Sequence, residues 1–149
     1  MTAIDPRLPP IGWRPKDPDW VGRLARRLVW RLSDDLGEDV IVSAHLVVRL
    51  GRANPRNPLV AAVGGPATHD GTVRVAPMLV VALAPAAGES AWWRAKGVGE
   101  VWVIRRDGGA HVHRDGEDAP VDVAPGDRLA HAAHPALAVD LGKLQVGVR

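Results

Sequence analysis

Residues 78–85 read MLVVALAP, and no other stretch constrains the fold of this chain so tightly. No charge interrupts the run, so a strand here is buried on both faces and sits inside a sheet. Pro85 closes it, because proline cannot continue a hydrogen-bonded ladder. Residues 88–95, GESAWWRA, then read as a short amphipathic helix with Gly97 to end it. Residues 96–104, KGVGEVWVI, supply a turn and a second strand. The order strand, short helix, strand asks for an α/β or α+β domain with a mixed central sheet.

The flanking sequence fills in around that frame. Pro6, Pro9, Pro10 and Pro15 keep residues 1–16 from being helical, so they form an N-terminal arm, and residues 17–149 form one domain. Asp17 and Pro18 suit an N-cap and a first helical position. Trp20, Leu24, Leu28, Leu32 and Leu36 recur every four residues, which predicts an amphipathic helix ended by Gly37. Residues 39–50 read as one strand stopped by Gly51, residues 53–58 as a turn, and residues 59–63 as a second apolar strand. A polar loop with Gly64, Gly65, Pro66 and Gly71 follows. Residues 100–105 and 110–114 form a hairpin across Gly108 and Gly109. Residues 120–124 and 128–132 flank a Pro125-Gly126-Asp127 turn, and residues 134–144 alternate apolar positions to the end of the domain.

This ordered set resembles the Uma-type restriction endonucleases of the PD-(D/E)xK superfamily, over about residues 17–144. The resemblance rests on the first helix, the strand ending VVRLG at Gly51, the run ending at Pro85, the GVGEVWVI segment and the PGD turn. It implies a restriction-endonuclease-like sheet flanked by helices, with antiparallel C-terminal strands, and self-association as in dimeric nucleases. It also implies phosphodiester hydrolysis, in which carboxylates hold magnesium beside the scissile phosphate.

The family's charged positions are replaced here. The Asp expected before the second strand falls at Pro58, the Glu of the central strand at Val81 or Ala82, and the helix Lys at Glu89. The helix aromatic is Trp93 and the strand Trp is kept as Trp102. Neither valine, alanine nor proline ligates a hard cation, so no catalytic residue, metal or other cofactor is expected. An alternative keeps the enzyme: a magnesium-dependent DNA endonuclease whose acids have moved to Asp70, Glu89 and Glu100. Against that alternative, Glu89 also suits a helix's first turn and Asp70 a loop.

A binding role has its own candidates. Seven basic residues stand against three acidic ones in residues 1–31, a local charge of +4 in a chain whose net charge is only +2. Arg23, Arg26, Arg27 and Arg31 lie largely opposite the apolar stripe, as a solvated face or a surface for nucleic acid or an acidic partner. The Trp92-Trp93 pair puts one ring toward the sheet and the other round the helix, exposed to a partner or covered by the arm. His111 and His113 share a strand face and, with His131 or His134, offer a second route to a zinc or nickel site. His45 reads as a core histidine, and Ser33, Ser43 and Ser90 lack a nucleophile-elbow context.

Composition narrows the rest. Zero Cys excludes disulfides and thiol catalysis, and no apolar run is long enough for a membrane span. The N-terminus has no apolar signal core, so the expected location is the cytoplasm. Three Lys against sixteen Arg, with six Trp and no Phe or Tyr, suggest a GC-rich bacterial coding sequence. Two readings stand at this point: a catalytically inactive binding or assembly module with a protein or nucleic-acid partner, and the endonuclease with displaced ligands.

Overall fold

The computed structural model describes residues 19–33, 39–44, 46–52, 55–64, 72–84, 88–117 and 119–144, together with the backbone of 11–12 and 68–69. Its elements in chain order are β1 (Ile11–Gly12), α1 (Asp19–Ser33), β2 (Val40–Ser43), β3 (Val47–Val48), β4 (Arg56–Asn57), β5 (Val60–Gly64), β6 (Thr68–His69) and β7 (Thr72–Val73). Then come β8 (Leu79–Leu83), α2 (Glu89–Ala95), β9 (Glu100–Ile104), β10 (Ala110–Arg114), β11 (Val121–Val123), β12 (Arg128–Ala130), β13 (Ala138–Asp140) and a 3-10 turn over Leu141–Leu144.

The main sheet has six strands in the order β11-β10-β9-β8-β5-β2. The run at 78–85 is the interior strand its composition demands. Val80 and Val81 of β8 pair in parallel with Val101 and Trp102 of β9, and Val81 pairs antiparallel with Val60 of β5. The parallel pair needs a crossover, and α2 is that crossover. A Schellman closure ends α2: Gly97 N–H donates to the Arg94 carbonyl and Val98 N–H to the Trp93 carbonyl, with Gly97 at φ 100°. Val98 and Trp93 are both buried in the same core, the apolar contact that usually accompanies this motif.

Strand alternation divides the apolar residues between two cores. Val60, Ala62, Leu79, Val81, Trp102, Ile104 and Val112 face α1, where Leu24, Leu28 and Leu32 are fully buried. Ala61, Val63, Val80, Val101 and Val103 face the other way, onto Trp93, Val98, Leu46, Val48 and Val73. Residues 129–144 complete the first core: Leu129, Leu137, Val139, Leu141 and Leu144 are buried against it. This strap also meets α1 directly, with Arg27 Nη1 donating to the Lys143 carbonyl at 3.4 Å.

Several expected boundaries give way. The single strand over 39–50 is two: β2 pairs with β5 in the main sheet, whereas β3 pairs with β4 and β7 in a second sheet. The chain bends at Ala44, where Ser43 and His45 interrupt the apolar run, a mark that the single-strand reading passed over. The turn expected over 53–58 contains β4, which also pairs with β1 from the arm. Part of the expected polar loop after Gly64 pairs as β6 and β7. The PGD turn links two different sheets, since β11 pairs with β10 and β12 with β13. Helix α1 starts at Asp19 and ends at Ser33; Asp17, Pro18, Leu36 and Gly37 lie outside the described residues.

Candidate functional site

The positions that the resemblance assigns to catalysis, Pro58, Val81 and Glu89, are not gathered into one site, and each side chain has a structural setting of its own. Pro58 is buried just ahead of β5. Val81 is fully buried in the α1-facing core, beside Trp102 in register. A carboxylate at Val81 would be cut off from water with no described partner.

Glu89 is on the other face of the sheet, at the start of α2. Its Oε1 pairs with Arg56 Nη1 at 2.5 Å, and its Oε2 accepts from Trp93 Nε1 at 3.0 Å. The Arg56 guanidinium in turn lies over the Trp92 ring, 3.7 Å from the centroid, with Lys96 Nζ at 5.6 Å. A cation–π contact of this kind strengthens as the cation loses water. Trp93 is buried at 1% exposure, so its ring packs the core and is not offered to a partner. Trp92 is half-buried and meets Trp93 edge to face at 4.9 Å.

Glu100 is at 1% exposure and takes part in a different construction. It opens β9 opposite Leu79, at the far end of the parallel pair from Glu89. It shares a strand face with Trp102 and points into the α1-side core. Trp102 Nε1 donates to its Oε2 at 2.5 Å, while Arg114 Nε at 3.1 Å and the Ala132 N–H at 3.0 Å donate to Oε1. Arg114 also donates to the Ala130 carbonyl. The neighbouring His131 is buried as well. Its Nδ1 accepts the N–H groups of Ala133 and His134, so that nitrogen carries no hydrogen, and its Nε2–H donates to the Met78 carbonyl at 2.8 Å. These bonds fasten the C-terminal strap to the end of the sheet.

Glu89, on α2, therefore lies on the Trp93 side of the sheet, whereas Glu100 points into the core on the α1 side, so the sheet stands between the two carboxylates. Asp70 and His45 lie outside the described residues. His111 and His113 share one face of β10, as expected, but it is the face opposite the one His131 covers. His111 Nδ1 is 3.4 Å from Asp122. Burial, with Arg94 and His111 nearby, holds His113 below its ordinary pKa. Among the described residues, no three His, Asp or Glu side chains gather where they could hold a metal ion. The donor set at Pro58, Val81 and Glu89 does not fit magnesium, which asks for several free oxygen ligands.

The frame itself has a solved counterpart. A crystal structure from Anabaena variabilis ATCC 29413, described as a "putative nuclease belonging to DUF820", superposes with a TM-score of 0.69 over 88% of this chain and 83% of that one, at 11% identity. The chain has a nuclease-like fold. No family model matches the sequence, and no curated protein does. No helix among the described residues is long and apolar enough to cross a membrane.

On this nuclease-like frame the open chemistry is on the outside of α1. Arg23 and Arg26 are exposed, Arg27 and Arg31 half-buried. Arg23, Arg26, Arg27 and Trp30 line an open groove of about 370 Å³. Trp30 is 65% exposed, the most exposed large apolar side chain among the described residues, and Arg31 lies over its ring at 5.1 Å. None of the four arginines has a carboxylate partner among the described residues. Sequence reasoning found the arginines and missed Trp30, although a signal was present. Trp30 falls off the every-fourth-residue stripe of Trp20, Leu24, Leu28 and Leu32, in the middle of the basic face.

Proposed function

We propose that this chain is a binding module on a nuclease-like frame, without phosphodiester chemistry of its own, and that its ligand is nucleic acid held by the outer face of α1. Val81 carries the first half of this reading: a position where the resembled family needs a metal-binding acid is a fully buried isopropyl group. The arginines of α1, which have no carboxylate partner among the described residues, and Trp30 support the second half, since phosphate contacts supply most sequence-independent nucleic-acid affinity. Self-association belongs to the same proposal and is read by light scattering on the purified chain; a monomer at tens of micromolar removes it.

Two assays test the reading. Supercoiled plasmid incubated with magnesium or manganese stays intact. Nicking that disappears on Glu89→Ala overturns the proposal in favour of a divalent-metal-dependent endonuclease with displaced ligands. DNA retention that falls steeply with added salt, and falls again with Arg23→Ala/Arg27→Ala, supports the ligand assignment. Absence of any salt-dependent retention leaves a protein partner for the module.

A further inference from the structure

We infer that the α1 groove takes single-stranded nucleic acid, its phosphates on Arg23, Arg26 and Arg27 and one unstacked base on the indole of Trp30. The inference rests on the nucleic-acid reading above and adds the strandedness of the ligand.

Three observations carry it. First, Arg23, Arg26, Arg27 and Trp30 follow one another at helical spacing, so the groove runs about 10 Å along the axis at 1.5 Å per residue. At roughly 3.4 Å per nucleotide or more, that is the length of two or three phosphates. Second, arginines one turn apart repel, and no described carboxylate within the fold relieves them. A polyanion does so. Third, Trp30 stands 65% exposed among cations, where its indole adds nothing to either core. A double helix hides the faces of its bases and offers this groove phosphates alone, leaving the indole unused. A single strand offers both charge and a flat ring, and base–aromatic stacking tolerates any sequence. Arg31 on the indole reinforces the same preference, because guanidinium and base both stack on an aromatic face.

The test is fluorescence anisotropy with labelled 15-mers of oligo(dT) and oligo(U), and with a 15-base-pair duplex, across a salt series. Both single strands bind more tightly than the duplex, with a slope of log K against log salt near −2 for three arginine contacts at about 0.7 each. Trp30→Ala weakens the single strands by about five- to a hundredfold, leaves duplex affinity unchanged and leaves the salt slope alone. Arg23→Ala/Arg26→Ala lowers that slope by about 1.4. A 5-iodouracil oligonucleotide cross-links at Trp30 of the unmutated protein, a readout that does not depend on any variant folding. Cross-linking confined to other residues overturns the inference. Equal affinity for duplex and single strand, unchanged by Trp30→Ala, overturns it while leaving nucleic-acid binding intact. No binding of any probe overturns both readings together.

Discussion

Replacing Glu100 by Gln changes one atom and removes one charge, and the structure allows its cost to be worked out. The carboxylate is at 1% exposure with Oε2 committed to the Trp102 indole and Oε1 to Arg114 and the Ala132 N–H. A Gln amide offers one oxygen and one NH2, so in either orientation at least one donor meets another donor. The cheaper orientation gives up the indole bond and keeps the two at Oε1. Losing a bond to a buried charged acceptor costs about 1.5–3 kcal/mol. The bonds that survive fall to roughly half strength on a neutral oxygen, about another 1 kcal/mol in sum. Arg114 is 27% exposed, so water takes up much of its lost pairing and adds little. The expected total is about 3 kcal/mol. At roughly 2–4 °C per kcal/mol for a chain of this size, the Tm falls by about 6–12 °C. Calorimetry and urea unfolding followed by Trp fluorescence give the two numbers independently. Asp115→Asn, at an exposed position just past Arg114 at the end of β10, is the control and stays within about 0.5 kcal/mol. A loss below about 1 kcal/mol for Glu100→Gln with an unchanged urea slope refutes the reasoning, since a buried carboxylate holding three donors cannot be that cheap to neutralise.

Other consequences are simpler to check. Val81→Glu, which restores the acid expected by family resemblance, costs about 4 kcal/mol or more in urea unfolding, because it buries an unpaired carboxylate in the α1-side core. It confers no nicking with magnesium. Gly109→Ala destabilises the β10–β11 edge, because a new Cβ would come within 2.7 Å of the Val123 carbonyl and would strike the Arg105 side chain that pairs with Asp122. Amide exchange speeds up first at Val121–Val123. His113 has a folded pKa below its ordinary 6.5, so the unfolded chain binds the extra proton first as pH falls. Stability therefore declines with acidification through the window just below 6.5, and His113→Gln flattens that part of the profile in urea midpoints taken between about pH 5 and 7.

How much of this was legible in the sequence depends on the reach of each contact. The β8–α2–β9 frame was readable because its signals are covalently local: an uncharged run, a proline, an amphipathic turn and a glycine at positive φ. The break between β2 and β3 was marked only by Ser43-Ala44-His45, three residues that a strand can also carry, so the two apolar stretches read as one. Two-residue strands such as β4 and β7 carry no period at all and exist only because neighbours offer them ladders. Arg56 and Glu89 meet across 33 positions, and nothing in either local sequence names the other. Glu100 is a different lesson. It alternates with Trp102 and Ile104, which marks it as inward-facing, and an inward acid on a core strand is first a group in need of donors. Reading it as a metal ligand passed over that requirement.

The strap of residues 129–144 has a consequence in time. Helix α1 is made before its cover: much of the apolar surface over Leu24, Leu28 and Leu32 arrives with Leu137, Val139 and Leu141, more than a hundred residues later. Arg27 and Lys143 meet across 116 positions. A nascent chain therefore carries a greasy, arginine-lined helix without its cover until those residues are made, and closing so long a loop is slow. During that interval the apolar stripe of the helix is open to aggregation.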